Sequence, residues 1–356
     1  MTKPILIVGG YGDVGGHLGV ELTATGCPHI RVAGRSVEKA REMAASLGAE
    51  AEWVRVDVDD ADSVRSALEG VSAVVSCIDQ EQPHLLRGAV AKGLPHVDVT
   101  AGREFIEMGL ELADEAKRTG ARVLLGSGLT PGLINVMAKV CSERVGGAQE
   151  IHTHGLFSAG DAYGVAALRF MLKVIPEPYV IRERGAPRTA WCFGEHKRVT
   201  FPAPAGKRRV YHFAYPDQFF YPRTLGAETS VSWFALDPPW VTRTNALFVR
   251  LLGRRLLRSE AMRERCLRVF NAAGSRYAGQ DSLMFRVEAQ GPAGDAGAHV
   301  AGHGEGKGTA VSTALMLHQV LDETIPAGVW LPEEAIDSGR YLAAMAERGW
   351  RVDVDG

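Results

Sequence analysis

Ile5-Leu6-Ile7-Val8-Gly9-Gly10-Tyr11-Gly12-Asp13-Val14-Gly15-Gly16 is the stretch on which the fold turns. Four apolar residues of β character run into five glycines within eight positions, and a helical pattern follows with Val14, Leu18 and Leu22 on one face. A glycine-rich loop alone carries little information. Gly10-x-Gly12-x-x-Gly15 placed between a strand and a helix carries more, because each glycine then has a mechanical task. The first permits a tight turn, the second lets a pyrophosphate approach the backbone, and the third lets helix pack on strand. The pyrophosphate would sit on the positive end of the helix. Gly10, Tyr11, Gly12, Asp13, Val14 and Gly15 are therefore candidate cofactor-binding residues.

Working outward, the first 140 residues alternate short apolar runs (Ile5–Val8, Ile30–Ala33, Trp53–Val56, Ala73–Ser76, His96–Val99, Val123–Leu125) with segments of helical period. Ser36 and Asp60 stand where helix N-caps belong. This is the texture of βαβ units in a doubly wound parallel sheet covered on both faces. From about Gln149 the apolar runs become longer, more aromatic and more alternating, with Pro- and Gly-rich turns between them. That pattern implies an α+β domain with a mostly antiparallel sheet. The expected division is a Rossmann domain over 1–130, a substrate and dimerisation domain over 131–305, and a helical segment over 306–356 that returns to the first domain.

The end of the second strand selects the dinucleotide. An acid about 20 residues past the glycines would bind the ribose 2′-hydroxyl of NAD. Here the strand ends Val32-Ala33-Gly34-Arg35-Ser36, without an acid. A guanidinium at Arg35 suits a 2′-phosphate, and Ser36 adds a hydroxyl and an N–H. The plainer alternative is a solvated arginine. The expected cofactor is NADP(H). Asp57 ends the third strand, where it either meets adenine or caps a helix. Ser76 and Cys77 end the fourth strand at the carboxyl edge, where ligands of open α/β sheets bind. Cys77 has no histidine partner in the sequence and reads as a wall residue rather than a nucleophile.

The glycine turn, Ala33-Gly34-Arg35, His96-Val97-Asp98-Val99-Thr100 and Gly126-Ser127-Gly128-Leu129-Thr130-Pro131-Gly132-Leu133-Ile134-Asn135 together resemble the saccharopine dehydrogenase/reductase-like family. The resemblance covers the first 140 residues well and the last 50 more loosely; residues 160–300 match no member by motif. It implies hydride transfer between a nicotinamide and a carbon–nitrogen bond of a small amino-acid-derived or specialised metabolite. Enoyl or keto reduction of a larger apolar or carrier-bound substrate is the alternative, favoured by the aromatic middle of the chain. A non-catalytic NADP-binding sensor is a third reading. Ser127 then joins the cofactor site, and Asp98 and Thr100 become catalytic candidates. A carboxylate beside a nicotinamide could donate a proton or steady an iminium, or it could only cap a neighbouring turn.

Composition narrows the remaining classes. The 356 residues carry a formal net charge of −2, which gives no global attraction for nucleic acid. Five scattered cysteines form no CxxC, and no signal-peptide pattern is present, so a reduced, cytoplasmic protein is expected. His152 and His154, and His299 and His303, have no ligating acid or cysteine at metal spacing, so no metal is expected. No Tyr-x-x-x-Lys pair occurs. A homodimer is expected, since such sheets often pair about a two-fold axis. Residues 245–272 interleave arginines with leucines, read either as a basic amphipathic helix for an acidic partner or membrane surface, or as an insertion covering the sheet.

Overall fold

The computed structural model describes residues 3–27, 29–159, 165–274 and 282–355. The chain forms two units, residues 1–133 with 306–344 and residues 134–305 with 345–356.

In the first unit β1 (Ile5–Val8), α1 (Asp13–Ala24), β2 (Ile30–Gly34), α2 (Val37–Leu47), β3 (Glu52–Arg55) and α3 (Ala61–Ala67) build one half. The other half is β4 (Ala73–Ser76), α4 (His84–Ala91), β5 (His96–Asp98), α5 (Arg103–Leu110), α6 (Ala113–Thr119) and β6 (Arg122–Leu125). The β1, β4 and β6 side chains are almost wholly buried, as an all-parallel sheet covered on both faces requires. β3 lies at the sheet edge, which leaves Trp53 exposed.

The second unit begins with α7 (Leu133–Arg144), β7 (Glu150–Ser158) and α8 (Val165–Val174). Then come β8 (Pro178–Glu183), β9 (Ala186–Trp191), β10 (His196–Phe201), β11 (Gly206–His212), α9 (Asp217–Thr224) and β12 (Thr229–Asp237). The segment expected to be one helix over 245–272 is broken. It comprises α10 (Pro239–Phe248), a π-helical turn Val249–Gly253, α11 (Arg254–Leu256) and α12 (Glu260–Gly274). Gly253 marks the irregularity: a Cβ there would lie 3.0 Å from the Phe248 ring. β13 (Ser282–Gly291) and β14 (Gly294–His303) follow as a hairpin.

α13 (Glu305–Leu321) and β15 (Gly328–Trp330), then α14 (Pro332–Ala335) and α15 (Ser338–Glu347), precede β16 (Arg351–Asp355). The first sheet has the order β15-β6-β5-β4-β1-β2-β3, all parallel. The second has the order β10-β11-β12-β7-β13-β14-β16, with the β8–β9 hairpin attached to β12. It is antiparallel except for β12 with β7, which run parallel from Thr229↔Glu150 to Asp237↔Ser158. β16 pairs with β14, so 345–356 belong to the second unit while 306–344 belong to the first.

Candidate functional site

The strand order reverses between β1 and β4, and the carboxyl ends of these strands are where an open α/β sheet places its ligand. Gly9 leaves β1 with φ +78°, a conformation that favours glycine. The N–H groups of Gly9 and Gly10 both donate to the Ala33 carbonyl (2.8 and 3.2 Å), which ties the turn to the end of β2. Gly12 N–H donates to Gly9 O at 2.8 Å and closes it.

The three motif glycines differ in their surroundings. A Cβ at Gly10 would lie 2.8 Å from Ile7 O, and one at Gly15 would lie 2.3 Å from Gly9 O. Both are contact positions between strand, turn and helix. At Gly12 the one near neighbour is Gly9 O, at 3.1 Å; the outward side is open and the residue is exposed. Gly12 is also the N-cap of α1 and offers no side-chain acceptor. The first-turn N–H groups of a helix have no intrahelical acceptor, so here they lie open to an anion. The space and the donors fit a pyrophosphate.

Asp13, the first residue of α1, is turned away from that opening. Its carboxylate rests against Gly306 in the first turn of α13, where a Cβ would come within 2.0 Å of Oδ2. Burial raises its pKa above the ordinary carboxylate value, opposed by His17 with Nε2 at 3.8 Å. Val14 is half-buried beside it.

Tyr11 reaches the end of β2. Its hydroxyl oxygen accepts the Ser36 N–H at 3.0 Å, and its ring lies against Gly34, where a Cβ would be 2.4 Å from Cε1. Arg35 between them is exposed and makes no ion pair with any described residue. Ser36 caps α2 by accepting the Lys39 N–H (3.3 Å) and donates its hydroxyl to Glu38 Oε2 (3.1 Å). Asp57 closes a local turn, its carboxylate accepting the Asp59 N–H at 3.3 Å, and is half-buried.

β4, β5 and β6 end in one polar cluster. Ser76 is fully buried and its hydroxyl accepts the Gln80 amide at 3.0 Å. The same amide nitrogen lies 3.3 Å from Asp98 Oδ2, and Thr100 N–H donates to Asp98 Oδ1 at 2.8 Å. His96 Nε2 stands 3.5 Å from the Asp98 carboxylate. The Thr100 hydroxyl accepts the N–H of Gly102, the N-cap of α5, at 3.2 Å. Asp98 has no exposed surface and Thr100 almost none (3%). Asp98, which the sequence offers either as a proton donor or as the cap of a neighbouring turn, is fully buried and holds the Gln80 and Thr100 turns. Burial and the Asp98 charge push the Cys77 thiol well above its ordinary range, which keeps it protonated and suits a wall residue.

Ser127 binds back to β5: its N–H (3.0 Å) and hydroxyl (3.2 Å) both reach Asp98 O. Its partners from α13 have no local signal in the sequence. The Ser312 hydroxyl lies 2.9 Å from Ser127 O, 2.7 Å from Gly128 O and 2.7 Å from the Tyr341 hydroxyl. Thr313 Oγ1 is 3.3 Å from Ser127 O. Residues some 185 positions away therefore hold the loop after β6, with Gly306 making room for Asp13.

In the second unit, three of the histidines expected to lack a ligating acid have a carboxylate nearby: Glu150 3.9 Å from His152 Nε2, Glu288 3.6 Å from His154 Nε2 and Asp353 3.3 Å from His299 Nε2. His152 and His154 are held neutral by burial, His152 down to about 3. His299, however, lies opposite Asp353 of β16, and with Asp355 these groups place one ligating atom each within 4.8 Å. β16 is a short strand with three charged residues in five, so neither acid stands out in the sequence as a partner of His299. The two acids are exposed and His299 is half-buried, and among the described residues no second feature there points to an ion.

Residues 9–128 match the model of a family described as NAD(P)H-binding. Over its full length the chain is similar to apo saccharopine dehydrogenase (L-Glu forming) from Saccharomyces cerevisiae, with TM-score 0.70, 16% identity, and coverage of 99% of this chain and 100% of that one. Pen from Bacillus thuringiensis (TM-score 0.30, 15% identity) shares 35% of this chain and 50% of its own. 3-Hydroxyacyl-CoA dehydrogenase type-2 from Mycobacterium avium (TM-score 0.28, 17% identity) shares 34% and 71%. No curated protein sequence matches the chain. The molecule has the saccharopine dehydrogenase fold, with an NAD(P)H-binding domain at its start.

Proposed function

We propose that this chain is an NADP(H)-dependent oxidoreductase that reduces an imine, or oxidises a secondary amine, of a small amino-acid-derived or specialised metabolite. The observation that carries the cofactor choice is Arg35, an exposed guanidinium without an ion-pair partner among the described residues, one position past β2. A 2′-phosphate placed there gains a charge-assisted bidentate contact. Glu38 beside Ser36 opposes this, and its exposed carboxylate must turn aside.

A bound nicotinamide would supply or accept the hydride. The chain's own part is positional. The open first turn of α1 holds the pyrophosphate, and Ser76, Cys77 and Ser127 shape the wall at the β4 and β6 ends. Asp98 acts as a positioning residue for Thr100 and Gln80. The carbon–nitrogen reading is supported by the full-length likeness to an enzyme whose printed name is saccharopine dehydrogenase (L-Glu forming).

The alternative of a large apolar substrate leaned on the aromatic middle of the chain. Several of those residues are core: Phe193, Phe213 and Phe234 are buried and pack edge-on or tilted at 5.0–6.2 Å. Fluorescence titration with NADPH and NADH tests the cofactor, and tighter binding of NADH overturns the NADP choice. NADPH oxidation in the presence of amine–carbonyl mixtures, set against enoyl and keto compounds, tests the reaction. Turnover confined to enoyl or keto compounds moves the assignment to the alternative. Tight NADPH binding with no turnover on any compound leaves the sensor reading.

A further inference from the structure

An amphipathic helix ordinarily buries its large apolar residues and shows its small and polar ones. The segment from α10 through α11 does the reverse. The inward stripe is Thr242, Ala246, Val249, Gly253 and Leu257, four of the five being small or β-branched, and all are buried. The outward stripe carries Trp240, Leu247 and Leu251, with Phe248, Leu252 and Leu256 beside it. Leu251 is 70% exposed, and Leu247 and Leu252 are 60% exposed. Between Pro239 and Arg258 the sequence has five arginines and no carboxylate. Among the described residues, nothing in the packing of this unit requires leucines on that side, because the inward stripe already makes the contact with the sheet.

A second observation adjoins it. Arg198, Lys207, Arg208 and Arg209 of β10 and β11, with Arg243 of α10, line a depression of about 220 Å³. Arg198 and Arg209 are directly opposed in the β10–β11 register. Like charges so placed are destabilising unless something neutralises them. Arg208 is paired with Asp237, but Arg198, Lys207, Arg209 and Arg243 make no ion pair with any described residue. Arg209 Nε is buried without a hydrogen-bond partner. The depression is built for an anion, and Arg243 belongs both to it and to the helix that bears the exposed leucines.

We propose that this face docks on an anionic phospholipid surface. The depression takes a headgroup phosphate, while Trp240, Leu247 and Leu251 enter the boundary between headgroups and acyl chains. The charge complementarity commits the face to that occupant. Cations surround an apolar stripe that ends in a tryptophan, the arrangement of a helix lying in the plane of an interface. No described helix is long and apolar enough to cross a membrane, so the segment lies on the surface rather than through it. The proposal concerns the second unit and does not depend on the nucleotide reading.

The test is co-sedimentation of the full chain with vesicles of phosphatidylcholine alone and of phosphatidylcholine with phosphatidylglycerol, at low and high salt. Binding to the anionic vesicles alone, weakened by salt, is expected. The double variant Leu247→Glu, Leu251→Glu should bind at least about tenfold more weakly. Arg198→Ala with Arg209→Ala should lose about fivefold per cation removed. All four positions are at the surface or only half-buried, and an unchanged circular dichroism spectrum shows that the variants fold. The proposal falls if the leucine variant binds the vesicles as the parent does. It falls equally if the depression takes inorganic phosphate while the chain ignores vesicles. Self-association in sedimentation velocity that the leucine variant abolishes, without vesicle binding, would instead make the face a contact between copies.

Discussion

The Tyr11 hydroxyl oxygen accepts the Ser36 N–H at 3.0 Å, so the glycine turn after β1 and the first residues of α2 are held as one piece. Because the oxygen accepts that bond, its own proton remains to be donated outward. The ring can take this position only because residue 34 has no side chain.

Gly34→Ala places a methyl 2.4 Å from Tyr11 Cε1 and breaks the coupling. We expect a loss of about 1–3 kcal/mol in stability, read from urea unfolding. NADPH binding should weaken alongside. An unchanged unfolding midpoint would show that the ring has another place to go.

Arg35→Ala should weaken NADPH binding by roughly 10- to 100-fold, the range of a charge-assisted pair. NADH binding should stay within about twofold. Equal losses for both nucleotides would mean that Arg35 does not meet a 2′-phosphate.

Asp98→Asn keeps an oxygen for Thr100 N–H, whereas Asp98→Ala leaves that N–H without its acceptor and the Gln80 amide with the Ser76 hydroxyl alone. The alanine variant should lose about 1–3 kcal/mol per stranded group, and the asparagine variant clearly less. If turnover falls in Asp98→Asn with stability intact, the carboxylate has a direct part in the chemistry.

Gly306→Ala drives a methyl into the Asp13 carboxylate. It should lower the melting temperature and disturb the turn that begins α1. Pairing it with Asp13→Ala should restore most of the loss, a double-mutant cycle that isolates the contact.

Acid sensitivity should come from His152 and His212, whose pKa values burial lowers to about 3 and about 4. The folded forms resist protonation while the unfolded chain takes up a proton near 6.5, so the unfolded state binds more protons below that pH. Their penalty is absent above pH 6.5 and grows as pH falls toward 4. Urea midpoints should therefore drop between pH 7.5 and 4.5, and His152→Gln should flatten that slope.

The first unit was legible because its strands other than the edge strand β3 are largely buried and because α2 and α3 open on cap residues. Ser36 and Asp60, expected as caps, both accept first-turn N–H groups. The glycine motif could be read because steric demand at a turn is local. β8, β9 and β10 were illegible: Arg182, Arg188 and Lys197 dilute the apolar alternation of strands that sit at the periphery of the sheet. The break at Gly253 was hidden under an unbroken leucine–arginine rhythm. Ser312 and Tyr341 were beyond reach, since their role at Ser127 exists only after distant segments meet.

The path of the chain has a consequence for its birth on a ribosome. It passes from the first unit to the second, back to the first and again to the second. When residue 305 emerges, the parallel sheet still lacks its β15 edge and the other sheet lacks β16. Neither sheet can finish alone while synthesis continues. Each holds an unpaired edge, β6 in one and β14 in the other, until the strand that covers it arrives from the last thirty or so residues.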